Sequence, residues 1–118
     1  MTLLATQQKF SFLIAKLILK AYELGYEITL GQAYRSEEQA KVYAAENKGI
    51  ANSLHTQRLA IDLNLFRGGK YLAESEDHRT LGMLWKGFGP IYGVDTAWGG
   101  DFTKPDGNHY SISWRGLK

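Results

Sequence analysis

Three residues of this chain carry side chains of the kind that bind zinc: His55, Asp62 and His109. Two imidazole nitrogens and one carboxylate oxygen leave the fourth position of a tetrahedral zinc ion for water, which is typical of catalytic and not of structural zinc sites. Bound zinc lowers the pKa of water to about 7 and polarises carbonyl groups, as amide hydrolysis requires. The set therefore predicts one zinc ion and metal-assisted hydrolysis.

Two further residues could complete a reaction centre around such a metal. Asp106 lies three residues before His109, and Gly107 between them allows a tight turn that would bring the carboxylate beside the metal as a general base. Arg35 directly precedes a predicted helix and offers positive charge for the oxyanion that develops on an attacked carbonyl. Together they would turn a metal site into a hydrolytic one.

Each of these residues also has an ordinary structural interpretation. A lone histidine is more often a surface or hydrogen-bonded residue than a ligand, and Asp106 stands in a common turn sequence. Arg35 could simply pair with Glu37 or Glu38. Asp62 is harder to explain in this way, because aspartate is depleted in strands. The spacing of the residues alone leaves both interpretations open.

The strand pattern indicates how the zinc-binding side chains could meet. A strand over residues 58–66 places its apolar side chains on one face and Asp62 on the other. A last short strand over residues 109–113 places His109 on the face opposite Tyr110. If these strands are neighbours, Asp62 and His109 point into one groove, and His55 lies in the loop just before the first strand.

Helical spacing, caps and turn residues predict the other elements. Apolar residues from position 10 onward indicate a core-packed amphipathic helix that ends at Gly25, followed by a strand over 26–34. Ser36 and Gln39 form a capping box for a second helix, which runs to about residue 46 and is ended by residues 47–49.

A hairpin turn over residues 67–70 follows the longer strand. Ser75 caps a third helix, which Gly89 and Pro90 stop, and residues 93–105 form a loop. The order of elements predicts a single α+β domain over residues 1–118, with a mainly antiparallel sheet and about three helices.

Composition narrows the function classes. The chain has no cysteine, which excludes disulfides, thiolate zinc sites and cysteine nucleophiles. A net charge of +2 does not indicate a nucleic-acid partner. Lys16 and Lys20 interrupt the apolar run near the N-terminus, so we predict no signal peptide, no transmembrane span and no stable membrane insertion.

The segment around the first two candidate ligands resembles a known family, the LAS zinc peptidases. This family includes lysostaphin-type peptidases, D-alanyl-D-alanine peptidases and the hedgehog signalling domain. Ser53-x-His55 followed by Ala60-x-Asp62 is similar to the family's serine-x-histidine and alanine-x-aspartate signature, with six residues between His55 and Asp62.

Two more segments resemble the same family, in the same order along the chain. Residues 33–36 together with Gln39 are similar to the family's segment that carries the catalytic arginine. Residues 98–102, followed by Asp106 and His109, resemble the closing segment with its base and last zinc ligand. The resemblance covers the chain from about residue 28 to residue 113.

The resemblance implies a hedgehog-like and D-alanyl-D-alanine-peptidase-like fold, and it implies the role of each matching residue. Zinc would be held by His55, Asp62 and His109, with Asp106 as base and Arg35 as carbonyl stabiliser. The implied substrate-binding residues are Ser53, Trp98 and Gln39. Ser53 could instead bond the backbone of the site, and Trp98 could equally lie in the core.

Within the family, the chain most resembles phage endolysins of the L-alanyl-D-glutamate peptidase type and D-alanyl-D-alanine dipeptidases. The resemblance therefore implies a monomeric zinc peptidase that cleaves peptidoglycan stem peptides at the L-alanyl-D-glutamate bond. It would wait in the host cytoplasm until release and act in the periplasm or cell wall. The alternatives are a D-alanyl-D-alanine dipeptidase or carboxypeptidase and a non-catalytic wall-binding module of the same fold. A serine hydrolase built on Ser53 is disfavoured, because the chain lacks a Gly-x-Ser-x-Gly elbow.

Two residues depart from the family pattern. Arg58 stands where many members have glycine, which would serve the turn entering the strand. Arg58 could change that turn or add a positive charge that binds a substrate carboxylate. His78 matches nothing in the pattern, and we expect it on the solvated surface of the third helix.

Overall fold

An antiparallel sheet forms the centre of the structure, a computed structural model that describes residues 1–46 and 53–118. Within these residues the sheet has five strands, ordered β1-β2-β5-β4, with β3 also paired to β2. The strands are β1 Glu27–Leu30, β2 Ala60–Arg67, β3 Lys70–Tyr71, β4 Thr96–Trp98 and β5 His109–Ile112. All four recorded pairings are antiparallel, which confirms the predicted sheet.

The described residues form three helices, the number that was predicted. They are α1 Leu3–Glu23, α2 Glu37–Ala45 and α3 Arg79–Tyr92. Three short 3-10 turns connect elements near the site: η1 Leu54–Gln57, η2 Ser75–His78 and η3 Gly99–Asp101. None of the described helices is long and apolar enough to cross a membrane.

The core lies between α1, α3 and one face of the sheet. The buried stripe of α1 that was expected to pack inside does so, with Leu13 and Leu17 fully inaccessible. Burying each such leucine stabilises the fold by about 2 kcal/mol. The stripe belongs to the same core as the apolar face of β2 and the buried side of α3. The polar face of β2, which carries Asp62, therefore lies on the side away from this core.

Local signals placed α2 and the hairpin correctly. The Ser36 hydroxyl accepts a hydrogen bond from the Gln39 amide at 3.0 Å, and α2 begins one residue later, at Glu37. Its predicted end at residues 47–49 lies outside the described residues. In the hairpin, Gly68 and Gly69 both have positive φ, 58° and 77°, as a two-residue turn between antiparallel strands favours.

The predicted stop of α3 at Gly89 and Pro90 is wrong. The helix continues through Pro90 to Tyr92 and ends at Gly93, whose φ is 69°. Pro90 has no N–H for the carbonyl of Lys86 four residues earlier. The Thr96 hydroxyl donates to that carbonyl at 3.2 Å, which replaces the missing bond.

Two other predictions in this region are corrected. Ser75 does not cap α3, because η2 intervenes and His78 occupies the cap position. The predicted loop over residues 93–105 contains β4, which adds an edge strand beside β5. Three residues are too few for a visible alternation in sequence, which is why this strand escaped prediction.

Candidate active site

Neighbouring strands bring Asp62 and His109 together. β2 pairs with β5 in a register that sets Asp62 directly opposite His109. Directly opposite residues on antiparallel strands point to the same face, with Cβ atoms about 5 Å apart. Since the other face of β2 packs in the core, both side chains lie in the groove on the polar side.

His55 reaches the same groove from η1, the turn that enters β2. The Ser53 hydroxyl accepts a hydrogen bond from the His55 amide at 3.2 Å, and the Thr56 hydroxyl donates to the Ser53 carbonyl at 2.6 Å. These two bonds fix the start of η1. Ser53 therefore bonds the backbone of the site, one of the two roles expected for it, and it also lines the cavity described below.

The three side chains form a compact donor set. One potential ligand atom from each of His55, Asp62 and His109 lies within 4.8 Å of the others. Asp62 Oδ1 is 3.4 Å from His55 Nε2 and 3.8 Å from His109 Nδ1. The two imidazole rings are 5.4 Å apart between centroids.

The environment of His55 fits a metal between these atoms. Its Nδ1 lies 2.9 Å from the Ala33 carbonyl, which can only accept, so Nδ1 carries the proton. In the neutral ring Nε2 then has a lone pair, and this lone pair faces Asp62 Oδ1. A metal cation bound between these two atoms would be coordinated by both, and a ligand histidine held by a backbone carbonyl is the usual arrangement around zinc.

Burial keeps the second histidine in the form that binds metals. His109 is only 7% exposed. Loss of hydration, reinforced by the nearby His55, lowers the pKa of His109 from 6.5 to about 4. A neutral imidazole is available to a metal at neutral pH without releasing a proton first.

The donor set lies at one side of a cavity of about 450 Å³. Five lining residues were given no role in the site by the sequence: Leu54, Phe102, Lys104, Asn108 and Lys118. The Phe102 ring lies 5.4 Å from the His109 ring and gives the cavity an apolar side. Asp106 and Arg35 also line it, so the structure brings all five predicted metal and catalytic residues to one space.

A closed loop presents Asp106 to the cavity. The Asp106 amide donates to the Gly99 carbonyl at 2.9 Å, and its own carbonyl accepts from the His109 amide at 3.0 Å. A Cβ at Gly99 would lie 2.0 Å from the Asp106 carbonyl oxygen, so only glycine permits this approach. Partial loss of hydration at the cavity edge and the charge of Asp62 raise the pKa of Asp106, while His55 and Arg35 oppose the shift.

Arg35 is held by a residue that the sequence did not reveal. Its guanidinium donates to the side-chain oxygen of Gln32, with Nε at 3.0 Å, and lies 5.0 Å from the Tyr43 ring centroid. The backbone carbonyl of Gln32 accepts from the Asp62 amide at 2.9 Å. Gln32 thus links Arg35 to β2, and the ordinary strand context of Gln32 carried no signal for this.

Two predicted substrate-binding residues do not line the cavity. Trp98 is only 1% exposed and belongs to the core, where its indole N–H donates to the Gly107 carbonyl at 2.7 Å. Gln39 serves α2 through its backbone amide. Of the three predicted substrate-binding residues, Ser53 alone lines the cavity.

Arg58 adopts the backbone conformation that a glycine would favour. Its φ is 56°, in the left-handed region, where it ends η1. The guanidinium lies 4.1 Å from the ring centroid of Tyr34. Both residues line a second, mostly apolar cavity of about 490 Å³, between α1 and the start of β2. The charge of Arg58 is therefore placed beside Tyr34, and Arg58 is not among the residues lining the metal cavity.

The prediction of a solvated His78 is wrong. His78 is 3% exposed, and its Nδ1 lies 2.7 Å from the Tyr110 hydroxyl. Loss of hydration lowers the pKa of His78 from 6.5 to about 4, against a smaller opposing effect of Asp77. The error arose because η2, and not a regular helix, carries this residue, so helical spacing misplaced its side chain.

Comparison with known proteins agrees with this fold. The sequence profile of the D-alanyl-D-alanine carboxypeptidase family matches residues 46–112, more than half of the chain. Among solved structures, the L-Ala D-Glu endopeptidase ChiX of Serratia marcescens has a similar fold, with a TM-score of 0.72 and 18% sequence identity. The similarity covers 89% of this chain and 80% of that chain. No curated protein matches the sequence.

Proposed function

Since this chain belongs to the D-alanyl-D-alanine carboxypeptidase family, we propose that it is a zinc-dependent peptidase that hydrolyses peptidoglycan stem peptides. The observation that carries the proposal is the donor set of His55, Asp62 and His109, whose potential ligand atoms lie within 4.8 Å of one another beside the cavity. Residues 1–118 form one catalytic domain in this proposal. One chain supplies the complete set of candidate residues, so the proposed site needs no second copy, and we propose that the protein acts as a monomer.

His55, Asp62 and His109 would hold one zinc ion. When bound, zinc lowers the pKa of a water ligand to about 7 and polarises the carbonyl that is attacked. The chain's own contribution begins with orientation. The Ala33 carbonyl fixes the ring of His55, and the register of β2 and β5 fixes Asp62 against His109.

Asp106 is the general base of the proposed reaction. It accepts a proton from the attacking water and returns it to the leaving amine, for which a carboxyl with a raised pKa is suited. Arg35 donates hydrogen bonds to the carbonyl oxygen as negative charge develops there. Gln32 holds the guanidinium in place for this, so that little reorganisation is needed during reaction.

We propose the L-alanyl-D-glutamate bond as the target. The proposal is supported by the fold that the chain shares with an L-Ala D-Glu endopeptidase and by the resemblance to endolysins of that type. The second candidate is a D-alanyl-D-alanine carboxypeptidase, which is favoured by the name of the matching family. Both reactions would use the same catalytic residues, so the products must separate them.

The test is digestion of purified peptidoglycan, followed by mass spectrometry of the released fragments. Hydrolysis at the L-alanyl-D-glutamate bond yields free amino groups on D-glutamate, whereas carboxypeptidase action releases only D-alanine. A chelator should abolish either reaction, and added zinc should restore it. Wild-type protein that binds zinc and peptidoglycan, releases no fragment and does not cleave free D-alanyl-D-alanine would contradict the peptidase proposal and favour the non-catalytic wall-binding alternative.

The endolysin role is the most specific part of the proposal, and it is supported by the resemblance alone. In this role the protein would remain in the host cytoplasm until release and then act on the cell wall. Expression in a Gram-negative cell, with and without a membrane-permeabilising agent, tests it. Lysis that depends on both the agent and Asp106 is expected, and lysis without the agent would contradict it.

A further inference from the structure

Gly107, the residue after the proposed base, is held on both sides by side chains. Its amide donates to the Ser75 hydroxyl at 2.9 Å, and its carbonyl accepts from the Trp98 indole N–H at 2.7 Å. We infer that Ser75 and Trp98 are positioning residues that fix the turn carrying Asp106. The inference rests on the proposed function, because it assigns a role within that reaction.

The contact between Gly107 and Ser75 is a close approach of two backbones. A Cβ at Gly107 would lie 2.4 Å from the Ser75 Cα, so any other residue would push the turn away from η2. Gly107 is itself buried. A glycine has wide backbone freedom, so two bonds to its peptide groups are an effective way to select one conformation.

The Trp98 donor is fixed in direction. Its ring is buried against two glycines, and a Cβ at Gly82 or at Gly100 would lie 2.2 Å from ring atoms. The indole therefore has little space to turn, and its N–H points at the Gly107 carbonyl. This gives the tryptophan a role other than the substrate contact that the sequence suggested.

The Ser75 acceptor is fixed as well. Glu74 and Asp77 cap η2 reciprocally, and the Glu74 amide donates to the Asp77 carboxylate at 3.1 Å. At its other end, η2 is fastened to β5 by His78 and Tyr110. Ser75 bonds Gly107, and three residues further along both segments His78 bonds Tyr110. The η2 turn therefore runs beside residues 107–110 and holds them at two points.

Asp106 depends on this support because its side chain lies at the exposed edge of the cavity. The backbone of Asp106 is held by the bond to Gly99 before the turn and by the two bonds to Gly107 after it, and the carboxylate moves with this backbone. A displacement of about 1 Å in a reacting group can cost about 100-fold in rate. Loosening Gly107 should therefore reduce the rate of the chemical step and leave the cavity able to bind substrate.

The test compares three conservative variants. Trp98→Phe removes the donor to Gly107, and Ser75→Ala removes the acceptor. Trp85→Phe is the matched control, because its indole N–H also donates inside the core, to the Ala97 and Ser111 carbonyls, away from this turn. We expect kcat to fall about 10-fold or more in the first two, with KM and the zinc Kd within about twofold of wild type.

The Trp85→Phe control should keep kcat within about twofold of wild type even if its Tm falls. A kcat for Trp98→Phe and Ser75→Ala no lower than that of Trp85→Phe would overturn the inference. So would a loss of zinc affinity as large as the loss of kcat, since the ligands and not Asp106 would then have moved.

A readout in the metal-free protein separates this inference from the proposed function. Hydrogen exchange of the Gly107 amide, followed by NMR, should accelerate about 10-fold or more in Ser75→Ala and remain unchanged in Trp85→Phe. Unchanged exchange in Ser75→Ala overturns the inference whether or not the protein hydrolyses peptidoglycan. If the wild type hydrolyses no peptidoglycan, the proposed function fails, and accelerated exchange still supports the hold on the turn.

Discussion

Asp62 of β2 and His109 of β5 face each other directly across an antiparallel strand pair. Their relative position is therefore fixed by the backbone hydrogen bonds of the sheet, not by the packing of a loop. His55 joins this pair from η1, which ends only three residues before β2 begins. A donor set built on paired strands is preorganised, which favours tight metal binding.

We predict that Asp62→Asn and His109→Ala each lower zinc affinity by at least about 100-fold. Loss of a residue that only supports a ligand already costs about 10- to 100-fold. His109→Ala removes a proposed ligand atom outright, and Asp62→Asn replaces a charged carboxylate oxygen by a neutral and weaker amide donor. Competition with a chromophoric chelator measures the Kd. His78→Asn is the control, since His78 is a buried histidine that bonds Tyr110 and is not part of the donor set. Zinc binding of normal strength by Asp62→Asn would refute the assigned ligand set.

Asp106→Ala should separate zinc binding from hydrolysis. We expect kcat to fall by about 100-fold to 10,000-fold, the usual contribution of a general base, while the zinc Kd changes little. The measurement is the rate of fragment release from purified peptidoglycan together with a zinc titration. Full activity of Asp106→Ala would show that another group accepts the proton.

The sequence predicted those parts of the site that depend on local patterns. Alternation along β2 placed Asp62 opposite the core face, and Ser36 located the start of α2 to within a residue. The sequence did not reveal Gln32 beside Arg35 or Ser75 beside Gly107, because these contacts join segments that only the tertiary fold brings together. Such contacts leave no periodic signal along the chain.

His78 should make the metal-free protein less stable in acid. Its pKa is about 4 in the folded state and 6.5 when unfolded, so the unfolded state binds more protons between these values. Stability is therefore fully present above about pH 6.5 and is lost as the pH falls toward 4, by at most about 3 kcal/mol. His109 adds a shift of the same sign.

His78→Asn isolates the contribution of His78, since the amide can keep the bond to Tyr110 without titrating. The free energy of unfolding, measured in urea at a series of pH values, should fall less steeply with decreasing pH in the variant than in the wild type. The two proteins should differ most in this loss of stability near pH 4. Parallel curves for the two proteins would show that His78 does not remain neutral in the folded state.

The left-handed backbone conformation of Arg58 should lower the stability of the fold, and a glycine at this position should remove the strain. At a φ of 56°, a residue with a side chain is strained by about 1 kcal/mol relative to glycine. Arg58→Gly and Arg58→Ala both lose the contact with Tyr34, so their difference reports the backbone alone. We expect Arg58→Gly to be more stable than Arg58→Ala by about 1 kcal/mol in urea unfolding. Equal stabilities would mean that the turn relaxes out of the left-handed region in the alanine variant.

Thr96 and Pro90 should be coupled through the Lys86 carbonyl. Thr96→Val removes the hydroxyl that donates to this carbonyl. With Pro90 in place no backbone N–H can take over, so the free energy of unfolding should fall by about 1–2 kcal/mol. In a Pro90→Ala background the alanine amide can supply the bond, so Thr96→Val should cost less. A double-mutant cycle by urea unfolding should give a coupling of about 1 kcal/mol. Additive effects would show that Thr96 does not substitute for the bond that Pro90 lacks.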